Sequence, residues 1–182
     1  LTLELADATS ATDSVTLIMN DKLGTEDQHF DNFTVTGINN VTIESDGLAA
    51  TTAGTALVNN INDIITTTTG SNLTISGAKK LVVDGTVDEL FTTINASLSS
   101  GGVDLTMADV AANTTFTGGT GNDRIDLHSK LTYEDNLSGG DGKDTLAIEA
   151  GTAAATAVLS NTGTTGNTFG FSGFEVLEIN NA

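Results

Sequence analysis

The chain has 182 residues, of which 38% are hydrophobic and only 4% aromatic, and it contains no Trp, Pro or Cys. Six basic residues against 24 acidic ones give a formal net charge of −18, a surface that repels nucleic acid and anionic membranes and attracts divalent cations. Without cysteine there is neither a disulfide framework nor thiolate chemistry, and no apolar run approaches the roughly 18 residues of a membrane-spanning helix.

Thr, Asn, Gly, Ser and Asp are abundant, which favours short strands joined by tight turns over long helices. With aromatics scarce, Val, Ile, Leu, Thr and Ala must fill the core. Residues 1–5 (LTLEL) and 15–19 (VTLIM) alternate apolar and β-branched types and are predicted strands. Residues 21–31 (DKLGTEDQHFD) read as a polar loop. Its Asp21, Glu26, Asp27 and Asp31 could hold a cation or form an ordinary solvated loop.

A ten-residue pattern then recurs, at residues 35–44 (VTGINNVTIE), 75–84 (ISGAKKLVVD) and 171–180 (FSGFEVLEIN). Each copy reads as a strand end, a glycine corner (Gly37, Gly77, Gly173) and a second strand of period two. Units of this kind bury their apolar face only by stacking on their neighbours, so the expected fold is an all-β β-solenoid whose rungs carry insertions. Between the first two copies, residues 53–65 (AGTALVNNINDII) change period. Leu57, Ile61 and Ile64/Ile65 fall at helical spacing, which predicts one short helix over the solenoid, with a strand excursion as the alternative.

Residues 90–107 (LFTTINASLSSGGVDLTM) read as strand, Ser/Gly turn, strand, and residues 114–117 lead into the chain's most specific motif. Two nine-residue units, GGTGNDRID from Gly118 and GGDGKDTLA from Gly139, fit Gly-Gly-x-Gly-x-Asp-x-apolar-x. Gly118, Gly119 and Gly121 in the first unit, and Gly139, Gly140 and Gly142 in the second, let the backbone adopt left-handed conformations and turn its carbonyls toward a common point. Asp123 and Asp144 add hard carboxylate oxygens, which suits calcium, a cation that takes six to eight oxygen ligands. The flanks align as well, Phe116 with Leu137 and Leu127 with Ile148. Same-side turns of such a solenoid recur after two units, so residues 127–135 (LHSKLTYED) read as a degenerate middle unit and residues 136–138 as slack in its loop. The two turns would then stack and share one Ca²⁺. Asp123 and Asp144 would be its side-chain ligands beside carbonyls from both turns, with Asn122 and Asp141 as further candidates. The alternative is a pair of ordinary glycine-rich turns with solvated aspartates. A bound cation would supply part of the folding free energy.

After a predicted strand at 144–149, residues 151–168 form a low-complexity Ala/Thr/Gly loop with one predicted strand at 155–159. No linker divides the chain, which reads as a single domain over residues 1–182. The start at Leu1 suggests a piece of a longer polypeptide or a protein exported by a C-terminal route. Catalytic signatures are missing: His29 and His128 make no H-E-x-x-H site, there is no G-x-S-x-G elbow, and both histidines read as surface residues. Carboxylate groupings such as Asp84/Asp88/Glu89 or Asp104/Asp109 are expected by default in so acidic a chain. No enzymatic function is expected of it.

TINASLSSGGVDLTM, a Gly-Gly-x-Gly-x-Asp turn, an insert, a second such turn and FSGFEVLEI together resemble the repeat-rich region of RTX-type surface-layer proteins and related large RTX adhesins of Gram-negative bacteria. The resemblance is strongest over residues 90–179. It implies type I secretion, folding outside the cell where Ca²⁺ is abundant, calcium turns that lock a β-solenoid, and self-association into a surface lattice or filament. Other parts of such a protein would meet cell-surface glycan or lipopolysaccharide. Membrane insertion and nucleic-acid binding are not implied. Adhesin segments and accessory modules of secreted hydrolases share these features. Only two full motifs occur here, against many in tandem in dedicated RTX blocks.

Overall fold

The period-two alternation of Val, Ile, Leu and Thr is realised as nineteen short strands, with no helix among the described residues. The computed structural model describes residues 1–4, 12–21, 27–47, 51–52, 55–108, 113–150 and 170–181. The loop at 151–168 with its predicted strand, Leu5 and residues 22–26 of the acidic loop lie outside these.

Two parallel seven-stranded sheets carry most of the chain. The first contains β2 (Ser14–Asp21), β5 (Asn40–Gly47), β10 (Ser71–Gly77), β12 (Phe91–Ser99), β14 (Thr115–Thr117), β16 (Asn136–Ser138) and β18 (Gly170–Ser172), stacked in chain order. The second contains β3 (Gln28–Phe30), β8 (Asn59–Ile61), β11 (Leu81–Val83), β13 (Val103–Thr106), β15 (Arg124–Asp126), β17 (Thr145–Glu149) and β19 (Val176–Asn180), again in chain order. Each pass of the chain thus adds one strand to each sheet, a β-solenoid-like arrangement. A third, three-stranded parallel sheet of β1 (Thr2–Glu4), β4 (Phe33–Thr36) and β9 (Ile64–Thr66) flanks the early passes, and bridges from Ile64 to Val87 and from Val87 to Met107 extend it. Only β6 (Thr51–Thr52) and β7 (Thr55–Ala56) pair antiparallel among the described strands.

The register explains the composition. Down the middle of the first sheet, Val15, Val41, Leu73, Ile94, Phe116, Leu137 and Phe171 stand side by side in one column, buried from Val41 to Leu137 and exposed at Phe171. In the second sheet Leu105, Ile125, Leu146 and Leu177 form another. A narrow interior between parallel walls suits one branched side chain per strand and leaves little room for aromatics. Phe33, Phe91 and Phe116 are its largest apolar members, and burying each contributes about 2–3 kcal/mol. Asparagine is used in ladders as well. The amide of Asn72 donates to Asn40 Oδ1 at 3.0 Å, and that of Asn62 to Asn32 Oδ1 at 2.8 Å, since a stacked amide is both donor and acceptor for its neighbour.

The structure corrects four expectations. No helix forms where residues 53–65 are described. Instead β8 and β9 each bury alternate residues, Asn59 and Ile61, then Ile64 and Thr66. A two-residue corner at Asn62 and Asp63 separates them, so Ile61 and Ile64 reach the same core from two walls while imitating helical spacing. Residues 136–138 are not slack but strand β16, with Leu137 beside Phe116. The extra length lies instead in residues 127–135, pinned by buried Leu127, Leu131 and Asp135. Within the acidic loop, Gln28–Phe30 is a strand paired to β8. Finally, the three glycine-corner copies are not equivalent. Gly37 turns the chain from the third sheet into the first, whereas Gly77 and Gly173 turn it from the first sheet into the second.

Candidate metal centre

From β10 onward, each corner that carries the chain from the first large sheet to the second stacks on the corner of the pass before. The two Gly-Gly-x-Gly-x-Asp segments occupy two consecutive members of that stack, residues 118–123 between β14 and β15 and residues 139–144 between β16 and β17. Thr117 pairs with Ser138, so the next residues, Gly118 and Gly139, adjoin. Gly118 N–H donates to Ser138 O at 2.8 Å, and Asp141 N–H to Gly119 O at 2.9 Å. The stacking is too close for side chains. A Cβ on Gly118 would overlap the Gly139 carbonyl, and one on Gly140, whose φ is +99°, would overlap that of Gly119. This is the local reason for glycine in the motif.

Both motif aspartates point inward. Asp123 is 1% exposed and Asp144 0%, so neither carboxylate is solvated. Asp123 Oδ1 accepts from Val103 N at 2.8 Å, and its Oδ2 accepts from Gly119 N at 2.7 Å. Asp144 Oδ1 accepts from Asp123 N at 2.8 Å. Asp144 Oδ2 is buried and has no hydrogen-bond partner, which is costly for a carboxylate oxygen, about 1–3 kcal/mol or more when charged. Burial pushes the Asp123 carboxyl up to about 6, opposed by its two backbone donors and reinforced by the neighbouring charge of Asp144. Asp144 is pushed up too, first by burial, then by repulsion from Glu175 and Asp141. Two buried carboxylates in consecutive turns, one with an oxygen that lacks a donor, leave this region short of positive charge.

The other expected residues have further contacts of their own. Gly121 and Gly142, expected around the ion with the rest of the motif, space the passes of the chain. A Cβ on Gly142, whose φ is +131°, would overlap the Gly121 carbonyl, and one on Gly121 would overlap the backbone nitrogen of Gly102. Gly102, Gly121 and Gly142 thus stack backbone on backbone over three successive corners, and their part in the site is to permit that approach. Asn122 is exposed and its Oδ1 accepts from Lys143 N at 3.0 Å, tying one turn to the next. Asp141 is exposed on the outer rim. Glu175 was missed by sequence reasoning because it lies outside the glycine motif, in the corner between β18 and β19. Its Oε2 accepts from Asp144 N at 2.9 Å. The only available signal was its place in the third glycine-corner copy, two residues after Gly173.

Among the described residues no group of three or more His, Cys, Asp or Glu side chains forms a metal cluster. A cation here must therefore take part of its coordination from backbone carbonyls, as a hard, oxygen-seeking ion does. The carbonyl of Gly139 and Asp123 Oδ2 both border the space over Gly118. This donor set fits calcium.

Several other acidic groups are held in other ways. Arg124 makes a two-pronged pair with Glu178, Nε–Oε2 and Nη2–Oε1 each at 3.0 Å, and also reaches Asp104 at 3.3 Å and Asp126 at 3.0 Å. Asp88 Oδ1 accepts from Leu90 N at 3.0 Å, and Asp27 Oδ1 from Val58 N at 2.7 Å. His128, half-buried at φ 49°, lies between Glu149 at 3.5 Å and Asp126 at 3.9 Å. No protein-family model, curated protein or solved structure matches this chain.

Proposed function

We propose that this chain is a calcium-stabilised structural module of a secreted bacterial surface-layer protein of the RTX type, acting through self-association and not through catalysis. The observation that carries the calcium part is the stacked pair of glycine turns with Asp123 and Asp144 buried between them. Asp123 and Asp144, with turn carbonyls such as that of Gly139, would hold the ion. When bound, it supplies the positive charge that two buried carboxylates need and crosslinks consecutive passes of the solenoid. The chain's own residues do the rest: glycines bring the turns into contact, and backbone N–H groups orient the aspartates. The net charge of −18 favours capture of divalent cations and opposes close approach of copies until that charge is neutralised. The surface-layer part rests on the likeness of residues 90–179 to that family.

The test is assembly. With millimolar Ca²⁺ the protein should form ordered sheets or filaments by electron microscopy and disperse on chelation. A monomer under both conditions rejects the lattice reading and leaves a calcium-stabilised spacer or adhesin segment. If chelation changes neither melting temperature nor β-sheet circular dichroism, the calcium reading fails as well.

A further inference from the structure

The corner after β18 looks from its sequence, Ser172-Gly173-Phe174-Glu175, like a plain turn. The register makes it the third member of the glycine-turn stack. Ser138 pairs with Ser172, so Gly173 adjoins Gly139 just as Gly139 adjoins Gly118. Thr145 pairs with Val176, so Glu175 adjoins Asp144. The hydrogen bonds repeat in step: Asp123 N–H donates to Asp144 Oδ1 at 2.8 Å, and Asp144 N–H to Glu175 Oε2 at 2.9 Å. Glutamate's extra methylene suits a corner three residues shorter than the two before it.

Two equivalent pairs of oxygens result. The place a Cβ on Gly118 would take is bordered by the Gly139 carbonyl and Asp123 Oδ2. The place a Cβ on Gly139 would take is bordered by the Gly173 carbonyl and Asp144 Oδ2, the latter at 2.7 Å. They differ in one respect. Asp123 Oδ2 receives the Gly119 N–H, whereas Asp144 Oδ2, in a fully buried side chain, receives nothing.

We propose that the oxygen pair between residues 139–144 and the Gly173–Glu175 corner marks a second divalent-cation site, with Asp144 Oδ2, the Gly173 carbonyl and the Glu175 carboxylate as its protein donors. Gly173 and Glu175 are exposed, so water completes the coordination. Calcium suits such an irregular, partly hydrated oxygen set better than magnesium, which demands near-octahedral geometry. The site ends the calcium stack with a corner outside the glycine motif, and the number of ions then exceeds the number that motif pairs predict. This inference rests on the calcium reading above in taking the same ion for both pairs.

Isothermal titration of the chelator-treated 182-residue chain with CaCl₂ tests it. The expected stoichiometry is two ions per chain, falling to one in Glu175→Gln, whose amide oxygen can still accept the Asp144 N–H; circular dichroism checks that the fold is kept. Equal, non-zero stoichiometry in protein and variant overturns the second site and leaves the first standing; one ion in the protein and none in the variant overturns the first and keeps the second. No bound calcium in the unsubstituted protein overturns both.

Discussion

The backbone N–H of Asp123 donates to Oδ1 of Asp144 across one pass of the solenoid, at 2.8 Å, so the carboxylate ending one glycine turn caps the backbone of the turn before it. Each motif aspartate therefore has a structural role before any cation arrives. Burial makes that role costly, and on the proposed reading a cation would offset the cost.

The pH dependence of the metal-free protein follows from this. The Asp123 carboxyl titrates near 6 in the fold against an ordinary 3.8, so the folded state holds its proton more tightly than the unfolded chain does. The contribution of this group is fully present below about pH 4 and is lost as pH rises through about 6, and Asp144 shifts in the same direction. In chelator, the melting temperature should fall between about pH 4 and pH 6 and then level off. With Ca²⁺ the trend reverses, because protons compete with the ion, so the calcium-induced rise in melting temperature should be largest above about pH 6 and shrink toward pH 4. Thermal melts of Asp123→Asn in chelator should show a weaker slope; an unaltered slope would locate the effect elsewhere.

Stacking and backbone conformation can be separated at two glycines. Gly70 has φ +75° with nothing within 4 Å of an added Cβ, while Gly140 has φ +99° and would meet the Gly119 carbonyl. Gly70→Ala should cost only the left-handed conformation, about 1–2 kcal/mol. Gly140→Ala should cost a further 1–3 kcal/mol or so for overpacking and should also weaken calcium binding. Urea denaturation with and without Ca²⁺ measures both.

Arg124 links strands that are two passes apart. Asp126, Ala147 and Glu178 stand side by side in register, and the small methyl of Ala147 leaves the guanidinium a path to Glu178. The pair is partly exposed, so its coupling in a double-mutant cycle of Arg124→Met and Glu178→Gln should be about 0.5–1 kcal/mol at neutral pH. Hydrogen bonding to Arg124 holds the Glu178 carboxyl below its usual range. The stabilisation is therefore present above the ordinary glutamate range and is lost as pH falls through the lowered value. A coupling that survives strong acid would contradict this origin.

The apolar column should dominate stability. Phe116→Ala, at 1% exposure in mid-column, should cost about 3–5 kcal/mol. Leu98→Ser, on a side chain 73% exposed, should change stability by less than about 0.5 kcal/mol. Denaturant midpoints at fixed calcium distinguish the two.

Several features were legible in the sequence because they depend on local chemistry. The glycine corners at Gly37, Gly77 and Gly173, the strands within residues 90–107 and the alignment of Phe116 with Leu137 all reappear, but of the six motif glycines only Gly140 and Gly142 turn left-handed, while Gly118, Gly119, Gly121 and Gly139 are needed for close approach of the backbone. The false helix at 53–65 shows the limit of periodicity: spacing of three cannot tell one helical face from two strands meeting across a corner. What only the tertiary structure decided is which corner stacks on which. Gly37, Gly77 and Gly173 are alike in sequence, but parallel pairing sends the first to one edge and the others to the glycine-turn stack. The same pairing gives Gly121 and Gly142 to contact between passes, a duty their place in the motif does not distinguish from lining an ion. The burial of Asp123 and Asp144, the orphaned Asp144 Oδ2 and the arrival of Glu175 beside it depend on contacts between passes of the chain 21 and 31 residues apart. Such contacts leave no local pattern, because no residue near Glu175 in sequence needs it to be acidic.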